Sequence, residues 1–210
     1  NADQRDDLGL FIPSNGAWYA KDLITGVMHV NGTIWGDSTM TPLPFDYNGD
    51  GVTDLGAYKA DSATWHILSG ADLATALTGA GVVCGTKGAK PIPADYDGDG
   101  AVELAVYDST RSMWIYRSLA SAGPAVARQW GLPGGVPVRG DYDGDGKCDL
   151  AIFDSASGKW YVLQGDDDPK SSHHPSWGWS SAVPVPGDYD GDGTNDQAVF
   201  NPTGGDWYIK

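Results

Sequence analysis

The chain has 210 residues, 40% hydrophobic and 11% aromatic, with 30 Gly and 13 Pro, a composition that fits one or two compact, loop-rich domains and excludes disorder. Its formal net charge of −15 argues against nucleic-acid binding, whose affinity comes mainly from Lys and Arg on phosphates, and no apolar run approaches the ~18 residues of a membrane span. Of the 28 acids only Glu103 is not Asp, and Asp favours turns, caps and metal sites over helix interiors.

In chain order, the N-terminal stretch Asn1 to Phe11 (NADQRDDLGLF) is an eroded copy of a motif that returns intact later. Next come a Trp in a β-forming context at Trp18, the pair Trp35-Gly36, and Pro42 and Pro44 at alternate positions. Residues two apart in a strand point their N–H groups to the same side, so these prolines mark an edge strand. DYNGDGVTDLGAY then begins at Asp46, and its apolar run Leu55 to Tyr58 predicts a strand covered on both faces. Trp65 opens the following strand, and Cys84-Gly85 takes the place of Trp-Gly.

The same succession returns with DYDGDGAVELAVY from Asp95, DYDGDGKCDLAIF from Asp141 and DYDGDGTNDQAVF from Asp188. Trp114, Trp160 and Trp207 each follow their loop Asp by the interval that separates Asp46 from Trp65. Trp130-Gly131 and Trp177-Gly178 precede the next loop Asp by the interval from Trp35 to Asp46. Only the connection between the two landmarks varies in length, which marks it as a surface loop. Repeats of about 47 residues, each with an edge strand, a doubly covered strand, a Trp strand and a closing Trp-Gly strand, predict an all-β fold, a single β-propeller domain over residues 1–210. About five four-stranded blades are expected. The first lacks its inner strand and the last its outer strand in this chain.

Each loop repeats oxygen ligands at positions 1, 3, 5 and 9, a carbonyl at position 7, and Gly at positions 4 and 6. In loop 46–54 the set is Asp46, Asn48, Asp50, Val52 and Asp54; in loop 95–103 it is Asp95, Asp97, Asp99, Ala101 and Glu103. Loop 141–149 offers Asp141, Asp143, Asp145, Lys147 and Asp149, and loop 188–196 offers Asp188, Asp190, Asp192, Thr194 and Asp196. Such hard-oxygen cages suit Ca²⁺, about four ions in all, and lack the imidazole and thiolate ligands that zinc prefers. An EF-hand would need Glu at position 12 and flanking helices. Here position 12 is Ala57, Val106, Ile152 or Val199. Asn48 should weaken the first site, and the eroded copy at 1–7, which keeps Asn1, Asp3 and Asp7 but has Gln4 for a Gly, should be empty.

On these loops and the D-L-A-V-F strand after them, the chain resembles the FG-GAP or VCBS repeat family of calcium-binding β-propellers, which includes the integrin α-subunit propeller. Its Trp-Gly pairs are more weakly similar to tachylectin-type lectins. The resemblance implies an ion bracing the turn between a blade's first two strands, and an extracellular adhesion, scaffold or lectin module, secreted or at the cell surface.

The remaining candidates have plainer readings. Cys84 and Cys148 occupy non-equivalent repeat positions, so no disulfide is expected, and Cys84 is a small core residue. His173-His174 near Asp166-Asp167-Asp168 falls in a variable connection and reads as a solvated loop. His29 and His66 lack a fixed carboxylate or nucleophile partner. Most of the nine Trp recur as blade core, but Trp179 is off-register and is the candidate ligand contact. With no catalytic set apart from the scaffold, the expected function is non-enzymatic binding, to a glycan or a cell-surface protein. The alternative is a structural subunit that assembles head to tail through its incomplete blades.

Overall fold

The computed structural model describes residues 7–121, 123–163, 172–173 and 176–210. These residues contain no helix and form five small sheets. The first has the order β1 (Leu8–Ile12), β2 (Ala17–Lys21), β3 (Met28–Ile34). The second is β4 (Thr41–Pro42), β5 (Leu55–Lys59), β6 (Thr64–Leu68), β7 (Val82–Val83). In the third, β8 (Lys90–Pro91), β9 (Leu104–Asp108), β10 (Met113–Arg117) and β11 (Val126–Gln129) follow one another in the same way. The fourth is β12 (Val136–Val138), β13 (Leu150–Asp154), β14 (Lys159–Leu163), β15 (Ser172–His173), and the fifth is β16 (Val183–Pro184), β17 (Ala198–Asn201), β18 (Asp206–Ile209). Strand pairs with a defined register are antiparallel. The first and last sheets have three strands, in the places expected from the incomplete terminal repeats.

The chain divides into two compact units. One comprises Asn1–Pro93, Gly100–Val106 and Tyr116–Ala125, the other Ala94–Asp99, Tyr107–Ile115 and Val126–Lys210. Each has its own core. Trp18, Val30, Leu55 and Leu68 cluster in the first, and Val138, Phe153, Trp160, Val162 and Val199 in the second.

Sequence pattern accounts for these sheets. The proline-bearing strands β4, β12 and β16 lie at sheet edges, where a missing N–H donor leaves no gap in a ladder. The apolar run after each loop is buried along its length in β5, β9 and β13. At the end of that run an aromatic ring meets the landmark Trp across the hairpin. Phe11–Trp18, Tyr58–Trp65, Tyr107–Trp114, Phe153–Trp160 and Phe200–Trp207 all have ring centroids 4.7 to 5.4 Å apart. Each hairpin thus carries the same cross-strand aromatic pair, a stabilising unit of antiparallel sheets.

The Trp-Gly landmark differs from expectation. The outer strands β3 and β11 end just before Trp35-Gly36 and Trp130-Gly131, so the pair is the exit from the strand and not its body. The glycines there have φ between +93° and +137°, a turn that a β-strand does not contain. What fixes the pair is a hydrogen bond absent from the sequence reading. The landmark indole Nε1–H of Trp18, Trp65 and Trp160 donates to the carbonyl of Trp35, Cys84 and Trp177 at 2.7, 3.0 and 2.7 Å. Trp35 and Trp177 in turn donate their indole N–H groups to the carbonyls of His66 and Tyr208 in the following sheet, at 3.2 and 3.1 Å. Cys84 fills the same place with its thiol, 3.3 Å from the Leu104 carbonyl. The two cysteines are free.

Candidate metal loops

Each loop closes the turn between an edge strand and the buried strand that follows. Glycines at positions 4 and 6 have φ from +74° to +92° in all four loops, the left-handed region in which a Cβ is strained. The position-1 carboxylate organises the turn. Asp46 accepts the N–H groups of Gly49 and Gly51, both at 2.7 Å, Asp141 those of Gly144 and Gly146 at 2.6 and 2.8 Å, and Asp188 those of Gly191 and Gly193 at 2.7 and 3.1 Å. The position-9 carboxylate reaches back to the loop's start: Asp54, Asp149 and Asp196 accept the N–H of Tyr47, Tyr142 and Tyr189 at 3.0, 2.7 and 2.9 Å.

Carboxylate oxygens converge in three of the loops. Asp141, Asp143 and Asp149 bring theirs within 4.8 Å of one another, as do Asp188, Asp190 and Asp196, and in the second loop Asp95, Asp97 and Asp99. The first loop, with Asn48 at position 3, gives no such carboxylate trio among the described residues. Position 5 stands apart in the third and fourth loops, since Asp145 and Asp192 accept the N–H of Lys147 and Thr194 at 2.8 Å. Val52 and Asp50 make the same contact at 2.8 Å. Ala101 and Glu103 are buried.

Burial first, and like charges close by second, show in the proton affinities. Burial pushes the Asp149 carboxyl up to about 7, helped by Asp143, Asp141 and Asp145 and opposed by the N–H of Tyr142. Asp54 rises to about 6 for the same primary reason, against the N–H groups of Gly70 and Tyr47. Asp143 is also raised, by burial first. Asp192 goes the other way because the Thr194 hydroxyl and N–H hold its anion. A site that retains protons near neutrality is short of positive charge, and an all-oxygen donor set supplies the ligands a hard divalent cation takes. Asp141, Asp143 and Asp149, and their counterparts in the other loops, would hold it.

Three features escaped the sequence reading. The Tyr at position 2 packs edge-on against the landmark Trp, with centroids at 6.3 Å for Tyr47–Trp65 and Tyr96–Trp114 and 6.4 Å for Tyr142–Trp160. Its hydroxyl donates to the preceding strand segment, from Tyr47 to Leu43 and from Tyr189 to Val185. Its recurrence in all four DY dipeptides was the available signal. The second feature links successive loops: the position-8 N–H groups of Val102, Cys148 and Asn195 donate to the carbonyls of Asp46, Asp95 and Asp141, the first residue of the loop before, at 2.8, 2.7 and 2.6 Å. The third corrects the expectation for His29, which lies within 4.8 Å of Asp7 and Asp22. Asp3, Gln4 and the other residues before Asp7, like His174 and Asp166 to Asp168, lie outside the described residues.

Trp179 is half-buried, packed on the second unit's core and edge-on to Tyr208 at 5.2 Å. In the first unit a cavity of about 900 Å³ is lined in part by Asp7, Phe11, Tyr19, His29, Pro44 and Asp72. Among the described residues no helix is long and apolar enough to cross a membrane.

Residues 141–199, from the start of the third loop into the strand after the fourth, match the FG-GAP-like repeat family. The chain carries FG-GAP-like repeat sequence over that segment. A search of curated proteins gave no match to the chain.

Proposed function

We propose that this chain is a single calcium-braced β-propeller domain of about five blades, acting outside the cell as a non-enzymatic binding or adhesion module. The observation that carries the reading is the recurrence of converging carboxylates at equivalent places in successive repeats, in a chain whose 141–199 segment matches the FG-GAP-like repeat. A bound cation would neutralise each trio and tie the edge strand to the buried strand. Isothermal titration should find about four Ca²⁺ sites. Melting in calcium and in chelator should differ, since an ion that binds only the folded chain adds about 2.7 kcal/mol per site at a hundredfold excess over its Kd. Superimposable melting curves would overturn the calcium assignment.

The partner class that fits best is a glycan. Support comes from the first unit's cavity, where aromatic rings and carboxylates share one lining as sugar sites require, and from Trp179. A glycan array in calcium, repeated with Trp179→Ala and Asp72→Ala, tests this; no bound glycan would leave a cell-surface protein as the partner.

A further inference from the structure

We propose that the Lys147 side chain, which belongs to the third loop, is a resident cation of the second loop, so that a metal entering between Asp95, Asp97 and Asp99 binds against a fixed positive charge. This rests on the calcium reading of the loops and sets one of them apart from its neighbours. The contact that delivers the charge is built by the repeat. The residue at position 7 of one loop lies against the glycine at position 4 of the loop before. A Cβ on Gly49 would stand 3.5 Å from the Ala101 Cβ, and one on Gly144 would stand 3.2 Å from the Thr194 Cγ2. One on Gly98 would stand 3.1 Å from the Lys147 Cγ and 3.2 Å from its Cε. The position-8 amide next in the chain donates to the same earlier loop, which fixes the approach.

Three side chains thus take one place with different chemistry. Ala101 brings a methyl group, and Thr194 spends its hydroxyl on Asp192 of its own loop at 2.6 Å. Lys147 lays its methylene stem along Gly98 and is half-buried, with its ammonium one bond beyond the Cε. Gly98 stands between Asp97 and Asp99 in the chain, so the charge goes to the loop whose carboxylates converge through Asp95, Asp97 and Asp99. That trio is itself distinct. It includes position 5, whereas the third and fourth loops gather positions 1, 3 and 9. A positive charge over Gly98 favours that gathering, because it attracts the carboxylates on either side of the glycine. In its own loop Lys147 works through the main chain: its N–H donates to Asp145 at 2.8 Å, and its carbonyl is the position-7 oxygen. Exchanging the side chain leaves both groups in place.

Calorimetric titration of the 210-residue chain with Ca²⁺ tests the assignment. Lys147→Met keeps the stem and removes the charge. At about 0.15 M salt it should tighten one site about threefold, the change expected when a screened unit charge stops opposing a divalent ion. Lys147→Glu should tighten it about tenfold, and Lys147→Arg should leave it within about twofold. In an Asp97→Ala background, which deletes the second site, the Lys147→Met effect should vanish; in an Asp143→Ala background, which deletes the third, it should persist. In about 1 M salt it should fade, as a charge effect does and a packing effect does not. Near-ultraviolet circular dichroism checks that each variant folds, and Lys147→Glu carries the test if Lys147→Met does not fold. Calcium affinities that neither Lys147→Met nor Lys147→Glu changes, or a tightening that follows the third loop, overturn this assignment alone. No calcium uptake by any loop overturns it together with the calcium reading.

Discussion

At the residue scale, the hairpin glycines Gly16 and Gly158 are constrained twice, by backbone conformation and by space. Gly158 has φ +71°, and a Cβ there would collide with the Gly178 carbonyl oxygen. Gly158→Ala should therefore cost about 2 kcal/mol or more in denaturant unfolding, from the left-handed strain plus a clash with backbone. The equivalent sites in the second and third hairpins hold Ala63 and Ser112, both at φ 52°. Ser112→Gly should relieve that strain and stabilise the chain by up to about 1 kcal/mol. The buried carboxylates make a pH prediction whose sign follows from proton binding. Asp149 titrates near 7 and Asp54 near 6 in the folded chain, well above the ~3.9 of an unfolded Asp. The folded state therefore holds more protons between about pH 4 and 7, and in chelator its stability should rise as pH falls through that window. Calcium competes for the same oxygens, so its affinity should fall over the same window. Melting series from pH 8 to 5 in each condition check both, and parallel trends would contradict the shared-oxygen account.

At the element scale, the series of bonds from each position-8 amide to the preceding loop's first carbonyl predicts that neighbouring sites are coupled. Asp141 offers its carboxylate to its own loop and its carbonyl to the Asn195 N–H, and its own N–H donates to the Asn195 side-chain oxygen at 2.8 Å. Asp141→Ala should therefore abolish binding at the third loop and also weaken the fourth severalfold, a coupling of order 1 kcal/mol. Stepwise calcium titration of Asp141→Ala against Asp46→Ala reads this out; loss of one site with the others unchanged would show independent loops. How far these elements were legible follows from what carries them. Edge strands were written in the alternating prolines, buried strands in the apolar runs and loop turns in the paired glycines, because each needs a particular side chain or its absence. Outer strands were placed late, on Trp-Gly, because β3 and β7 are held by main-chain ladders and carry no repeated residue. The loop-to-loop bonds and the indole-to-carbonyl bonds were hidden for the same reason: their acceptors are backbone atoms.

At the scale of the whole molecule, charge and metal are one subject. The four loops hold fifteen of the 28 acids and one of the thirteen bases, Lys147, which leaves the rest of the chain nearly balanced at thirteen acids against twelve bases. The net charge of −15 is therefore almost all loop charge, and four Ca²⁺ would bring it to −7. Electrophoretic mobility in calcium should fall to about half its value in chelator, since mobility tracks net charge at constant size. An unchanged mobility would mean the loops take up no ions. Such a chain repels itself without its ions and packs against itself more easily with them.

The position-8 amides have a consequence for how this chain can vary. Thr53, Val102, Cys148 and Asn195 share no chemistry, yet three of the four make the same bond through the nitrogen that every residue but one possesses. Any exchange but one keeps that main-chain bond, even where it gives up a side-chain contact such as the one Asn195 makes with the Asp141 N–H, so the position can drift between copies. The prohibition common to all copies is proline. Cys148→Pro should disrupt the junction between two loops while touching no ligand, and its damage should exceed that of any other exchange at the same place.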